Sequence, residues 1–302
     1  MCGIVGYTGV QPAQEIVLES LKKLEYRGYD SSGIAMHEDK LVICKKEGPI
    51  ENMEAELTES KSTLAIAHTR WATHGVPSDI NSHPHSDEEV SVAVVHNGTI
   101  DNYLEIRESL EAEGYNFKSD SDSEILPLLI SKYYSGNLVA AVNKTLNDIY
   151  GIFTIAAIHE DNPDEIVAVR NETPLVVGLG NSENFVSSDI YAILKYTQEI
   201  VYPENYQIVR VTSDKIEVLD RDLNLLDYNI ETVEKYTEVA EKGGFEHFML
   251  KEIFEQPKAL QDSFTELLVE SPLERLGLNW KIGSMSIAVS YTHLTLPTSD
   301  LV

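Results

Sequence analysis

Cysteine is almost absent from this chain: Cys2 and Cys44 are the only two in 302 residues. A single disulfide is a poor framework for a chain of this length, which argues against a disulfide-stapled fold. No basic and then apolar leader precedes Cys2, so a reduced, cytoplasmic setting is expected. Basic residues are scarce as well, with 23 Lys and Arg against 50 Asp and Glu and a net charge of −27. Such a field repels phosphate backbones and anionic lipid, so neither nucleic acid nor a membrane is expected as a partner. Long hydrophobic runs are missing too: the longest weakly polar stretch, 284–299, contains Ser, Thr, His and Pro and is too short to span a bilayer. That stretch also lacks charge, in a chain that is 24% charged, and shows neither periodicity nor caps. The expectation is that the native sequence stops near Gly283 and that 284–302 is a non-native tail.

What remains is ordinary for a globular protein. The 42% hydrophobic fraction can bury the core of one large domain, or of one domain plus a fragment. Residues 3–7 read as a short buried strand at the very start. Pro12 opens a helical pattern, with Val17, Leu21 and Leu24 on one face, that ends at Arg27-Gly28 in a left-handed glycine cap. Strand-like runs follow at 33–36, 41–45 and 63–68, with a short acidic helix near 51–58. Residues 91–96 read as a buried strand that ends on a loop, Asn97-Gly98-Thr99. Asn102 with Glu105 predicts a capping box for the next helix. Helices at 123–134 and 138–147 precede strands at 151–158, 165–169, 175–179, 184–187 and 206–211. Strand runs interleaved with paired helices predict two sheets covered by helices, an α+β layered domain over 1–228. From 229 the chain turns charged and extended, a linker that leads into a new helical segment at 251–257.

Cys2 carries the first chemical signal. A small second residue permits removal of Met1, which would leave one residue bearing both a thiol and a free α-amine. That amine, with an unperturbed pKa of about 7.7–8.0, can accept the thiol proton without a histidine. The rival reading is that Cys2 is simply a small residue after the start.

The rest of the chain bears on that choice. Met-Cys-Gly-Ile-Val-Gly at 1–6 resembles the opening of glutamine amidotransferases whose N-terminal cysteine is the nucleophile. Leu-Glu-Tyr-Arg-Gly-Tyr-Asp-Ser-Ser-Gly at 24–33 and His-Thr-Arg-Trp-Ala-Thr-His-Gly at 68–75 are similar to the glutamine–fructose-6-phosphate aminotransferase family within that group. So are Asn-Ser-His-Pro-His at 81–85, Val-His-Asn-Gly-Thr-Ile-Asp-Asn at 95–102, Ser-Asp-Ser-Asp-Ser-Glu at 119–124 and Lys-Glu-Ile-Phe-Glu-Gln-Pro at 251–257. The separated motifs occur in one order and cover roughly 1–280.

The resemblance implies a four-layer αββα sandwich of the N-terminal-nucleophile hydrolase type, with Cys2 as nucleophile and L-glutamine as substrate. It implies that Arg70 grips the glutamine α-carboxylate with a two-donor fork and that Asp122 holds the α-ammonium. The Asn97 side-chain amide and the Gly98 N–H would form an oxyanion hole, Gly98 being glycine so that no side chain crowds the arriving carbonyl. Trp71, Thr73 and His74 belong to a loop, 71–75, that folds over bound glutamine, and Arg27 orients the nucleophile. No cofactor and no metal are implied. The family's second half converts fructose-6-phosphate to glucosamine-6-phosphate and could carry a homodimer interface. No sugar-phosphate domain is recognisable after 283, so fructose-6-phosphate is expected to be reached only through that half, and this chain to act as a glutaminase alone.

Residue by residue, duller readings stay open. Arg70 and Asp122 also read as surface charges or a structural ion pair, and Asn97-Gly98 as a turn after a strand. Histidines 68, 74, 83, 85 and 96 invite a zinc site, but no third ligand at sensible spacing or carboxylate partner is evident. Cys44, in an apolar run, reads as a core thiol. Functional rivals are the amidotransferase domains that serve phosphoribosylamine or asparagine synthesis, and a non-catalytic glutamine-binding module.

Overall fold

The structure, a computed structural model, describes residues 2–233, 244–245 and 248–270. The tail expected at 284–302, and the end of the linker expected over 229–283, lie outside these residues. The chain divides into two units, Met1–Glu241 and Lys242–Val302.

The first unit is built on two antiparallel sheets. One runs in the order Glu231–Thr232 (β15), Glu199–Val201 (β11), Val176–Leu179 (β9), Asn184–Ser187 (β10), Gly3–Thr8 (β1), Leu64–Arg70 (β4), Ser31–His37 (β2) and Leu41–Glu47 (β3). The other runs Leu225–Leu226 (β14), Ile216–Leu219 (β13), Ile208–Val211 (β12), Ile166–Asn171 (β8), Gly151–His159 (β7), Val92–Ile100 (β6) and His85–Ser86 (β5). The edge strand β15 thus carries the first sheet past residue 228.

Side chains alternate across each strand, and the two parities go to different cores. In β4, Leu64 and Ile66 face the second sheet while Ala65 and Ala67 face helices. In β6, Ala93 and Val95 face the first sheet while Val92 and Val94 face helices. Helices Ala13–Lys22 (α1) and Ile50–Glu54 (α2) cover the outside of the first sheet. Tyr103–Ala112 (α3), Ile125–Tyr133 (α4) and Leu138–Thr145 (α5) cover the outside of the second. The expected α+β sandwich of four layers is what the first unit forms. Val17, Leu21 and Leu24 are fully buried against Val5 and Tyr7, as their spacing predicts.

Three local expectations fail for reasons of tertiary structure. Asn97-Gly98 is not a loop: β6 continues to Ile100, because β7 supplies partners as far as the Ile100–Gly151 pair. Gly28 is no left-handed cap; its φ of 177° is extended, and α1 ends at Lys22. A β-carbon on Gly28 would stand 2.6 Å from the Arg70 carbonyl carbon, so glycine is there to let two backbones approach. Asn102 precedes α3 without capping it; its amide donates to Asp148 O at 2.7 Å and accepts from Tyr150 N at 2.9 Å.

In the second unit the described helix is Phe248–Glu270 (α6), with Pro257 inside it and Phe254 stacked on Phe245 at 5.6 Å. No described helix is long and apolar enough to cross a membrane.

Candidate active site

Cys2 immediately precedes β1, and the pairing of Gly3 with Thr69 sets it beside the end of β4. There the Trp71 N–H donates to Cys2 Sγ at 3.2 Å, and Sγ lies 3.6 Å from Trp71 O. β1 and β4 face β6 across the sandwich. From β6, Asn97 Nδ2 donates to Cys2 O at 3.1 Å. Burial pushes the Cys2 thiol up, while the Trp71 N–H acts in the opposite direction. A thiol held that way needs a base close at hand to ionise.

Arg70 has the parity of Leu64 and Ile66, so it points between the sheets, and it is 4% exposed. Its Nη2 donates to His74 O and, at 3.2 Å, to Gly75 O. Its Nη1 is buried with no hydrogen-bond partner. Burial lowers the guanidinium from its usual range, with Cys2, Asp122 and Asp30 as the charges that oppose the shift. A buried donor left unpaired is costly unless something fills the place, and a carboxylate would. Asp122, 3% exposed, opens the 3-10 turn before α4 and accepts from Ile100 N at 2.9 Å. No ion pair joins Arg70 to Asp122 among the described residues, and neither is a surface charge, so both duller readings of this pair fail.

The loop after β4 and the turn before α4 are tied together by a residue to which the sequence reading gave no role. Asn81 Nδ2 donates to Val76 O at 2.9 Å, and Asn81 Oδ1 accepts from Asp120 N at 2.9 Å. Asp30 was missed as well: its carboxylate accepts from Ala72 N at 2.8 Å, and its own N–H donates to Arg70 O at 3.1 Å. Glu124 shapes the turn that carries Asp122 by accepting from Lys118 N at 2.8 Å and Ser119 N at 2.7 Å. The signal that was available is that all three lie inside the quoted motifs.

Gly98 has a φ of +114°, and a β-carbon there would stand 1.9 Å from Ile152 O on β7. The glycine is therefore demanded by the neighbouring strand, whatever approaches from the cleft. Gly98→Ala is expected to lower stability by about 2 kcal/mol or more, read as a shift of the urea midpoint. An unchanged midpoint would contradict this account of the strand.

Not every expected residue gathers here. Arg27 donates to Asp189 at 2.5 Å and to Tyr26 OH at 3.2 Å, and it makes no hydrogen bond to Cys2. Any orienting effect on Cys2 is thus indirect, through the Asp189 turn, where Ser188 Oγ accepts from Ile4 N at 2.9 Å. Trp71 packs edge-on to Tyr29 at 5.8 Å, the His74 ring lies against Tyr103 at 5.4 Å, and Thr73 is exposed. Histidines 68, 83, 85 and 96 cluster in the interior, with the His68 and His83 rings stacked at 4.2 Å. Among the described residues no group of three or more His, Cys, Asp or Glu stands where it could share a metal ion. Cys44 is half-buried in β3.

Residues 68–195, which include β4, β6, Arg70, Asn97 and Asp122, match the family profile described as a glutamine amidotransferase domain. The chain carries a glutamine amidotransferase domain. Over 272 residues, 89% of its length, the chain is 44% identical to the glutamine–fructose-6-phosphate aminotransferase (isomerizing) of Clostridium acetobutylicum, and covers 45% of that protein. With the enzyme of the same name from Fusobacterium nucleatum the identity is 48% over 86% of this chain and 44% of the relative. The chain thus spans about half the length of the curated relatives it matches. Among solved structures, the glutamine phosphoribosylpyrophosphate amidotransferase of B. subtilis superposes with a TM-score of 0.64 at 25% identity, over 74% of this chain and 50% of that one. These neighbours carry the N-terminal-nucleophile hydrolase sandwich, the layering that this amidotransferase domain shows. Its chemistry is to be sought where β1, β4 and β6 meet.

Proposed function

We propose that this domain hydrolyses L-glutamine to glutamate and ammonia, with Cys2, freed of Met1, as the nucleophile. The Cys2 α-amine takes the thiol proton, and the thiolate attacks the side-chain amide carbon of glutamine. The oxygen charge that develops is met by Asn97 Nδ2 and the Gly98 N–H. The amine then returns its proton to the leaving nitrogen, ammonia departs, and water hydrolyses the γ-glutamyl thioester to glutamate and free thiol. Arg70 takes the substrate α-carboxylate and Asp122 the α-ammonium, which separates free glutamine from glutaminyl residues in a peptide. Trp71, Thr73 and His74 belong to the loop that closes over it. In the longer relatives, we infer, the ammonia passes to the other half and on to fructose-6-phosphate. Identities of 44–48% to enzymes of that name favour this branch over phosphoribosylamine synthesis.

The observation that carries the reading is the buried, partnerless Arg70 Nη1 in the cleft that also holds Cys2 Sγ and Asn97 Nδ2. The test is release of glutamate and ammonia from glutamine by the purified chain, with intact mass and N-terminal sequencing of the same sample. A correctly processed chain that releases neither would sink the proposal. A chain that keeps Met1 and turns over at full speed would remove the amine as base.

Arg70→Lys is expected to raise the KM for glutamine about tenfold to a hundredfold, because an ammonium cannot offer two parallel donors to a carboxylate. Steady-state kinetics check this. An unchanged KM would mean that Nη1 faces something other than the substrate.

A further inference from the structure

His68 is fully buried on β4, and its Nε2 lies 3.0 Å from His96 O and 3.0 Å from Asn97 Oδ1. A backbone carbonyl can only accept, so Nε2 must carry the proton. The atom that Asn97 turns toward it must then be the oxygen, which leaves Nδ2 on the far side. The other end of the amide agrees, since Nδ2 faces the carbonyl of Cys2 at 3.1 Å. Donors and acceptors thus run in one direction, from the imidazole through the Asn97 amide to Cys2.

We propose that His68 is a positioning residue: its Nε2–H locks the Asn97 amide so that Nδ2, and not Oδ1, is presented at the Cys2 end of the cleft. This rests on the reading of Asn97 as an oxyanion donor. Turned over, the amide would set a carbonyl oxygen against the developing oxyanion, replacing attraction with repulsion.

The surroundings hold the ring and its proton in place. The imidazole stacks on His83 at 4.2 Å, and His83 Nδ1 accepts from His96 N at 3.2 Å. His68 Nδ1 is buried without a partner, so no acceptor stands ready for a proton there, in keeping with the Nε2–H tautomer. Burial pushes the His68 imidazole down to about 3, so it stays neutral through the working range. Asn97 is separated from His68 by 29 positions, and only the facing of β4 and β6 brings the two together.

The test pairs two substitutions. The nitrogen of a glutamine side chain reaches about as far as the imidazole Nε2, whereas that of asparagine reaches only as far as Nδ1. His68→Asn is therefore expected to lower kcat for glutamine hydrolysis by about tenfold to a hundredfold, with KM held within about threefold. His68→Gln is expected to keep kcat within about threefold of wild type. A purely structural histidine would lower the melting temperature of both variants and leave kcat per folded molecule alone. Equal loss in both variants, or a loss carried by KM, overturns the proposal. An independent reading comes from ¹⁵N-histidine NMR on the unmodified chain, where His68 should show the Nε2–H tautomer and no titration from about pH 8 to pH 5.5. A proton on Nδ1 overturns the proposal even if neither variant folds. A wild-type chain that shows this tautomer and makes no glutamate would instead refute the proposed function, and with it the catalytic use of the lock.

Discussion

Glutamine hydrolysis by a Cys2→Ala chain is expected to fall by about 10⁴-fold or more, to the background rate, while glutamine still binds. The substitution removes the sulfur alone. Arg70, Asp122 and the Asn97 amide are held by contacts that do not pass through Sγ, and the cost to the fold is two hydrogen bonds to the Trp71 backbone, one from its N–H and one to its carbonyl. Ammonia release and calorimetric titration with glutamine read the two halves of the expectation. A chain that binds glutamine but never turned it over would behave the same before and after the change, which is how a non-catalytic binding module would show itself. Turnover that survives the substitution would end the proposed chemistry.

The second large effect concerns acid. Burial, first of all, pushes His68 down to about 3, His83 and His85 well below their ordinary value, and His96 down in the same sense. Mutual proximity and Arg70 add to this at His68, His83 and His85, and Lys45 adds at His85. The folded values lie below the unfolded ones, so on acidification the unfolded chain takes up protons that the folded chain refuses. Stability is therefore complete above about pH 6.5 and is lost as pH falls through that value, by about 1.4 kcal/mol per pH unit for each ring that stays neutral. His68, His83 and His85 together give about 4 kcal/mol per unit, a large share of the roughly 5–15 kcal/mol typical of a domain. Urea midpoints at about pH 7.5 and 5.5 should differ accordingly, measured in salt high enough to screen the −27 net charge. A flat profile would mean that these rings are hydrated or protonated in the fold.

Local pattern was enough for much of the fold. The runs that became β1, β4, β6 and β7 have the right composition, and the spacing of Val17, Leu21 and Leu24 chose the correct face of the first helix. Where the sequence reading failed, the deciding partner was far away in the chain. Asn97-Gly98 has the composition of a turn and becomes strand because β7, more than fifty residues on, accepts it. Gly28 is explained by Arg70, Asn102 by Asp148 and Tyr150, and Arg27 by Asp189. For the site, the motifs marked the stretches, but roles came only for residues whose chemistry is conspicuous. Asn81, Asp30 and His68 act by holding other residues, and no spacing within a motif reveals what a side chain holds.

The division of β6 between two faces also limits how this chain can vary in length. His96 belongs to the helix side and touches Ser123 Oγ at 2.8 Å, whereas Asn97 belongs to the cleft. Adding or deleting one residue between Val92 and Asn97 would exchange the two, turning the amide toward Ser123 and the imidazole toward the cysteine. A change of length is therefore expected to be tolerated in the loops and not here, and the number of residues in this strand matters to the proposed site as much as their identities.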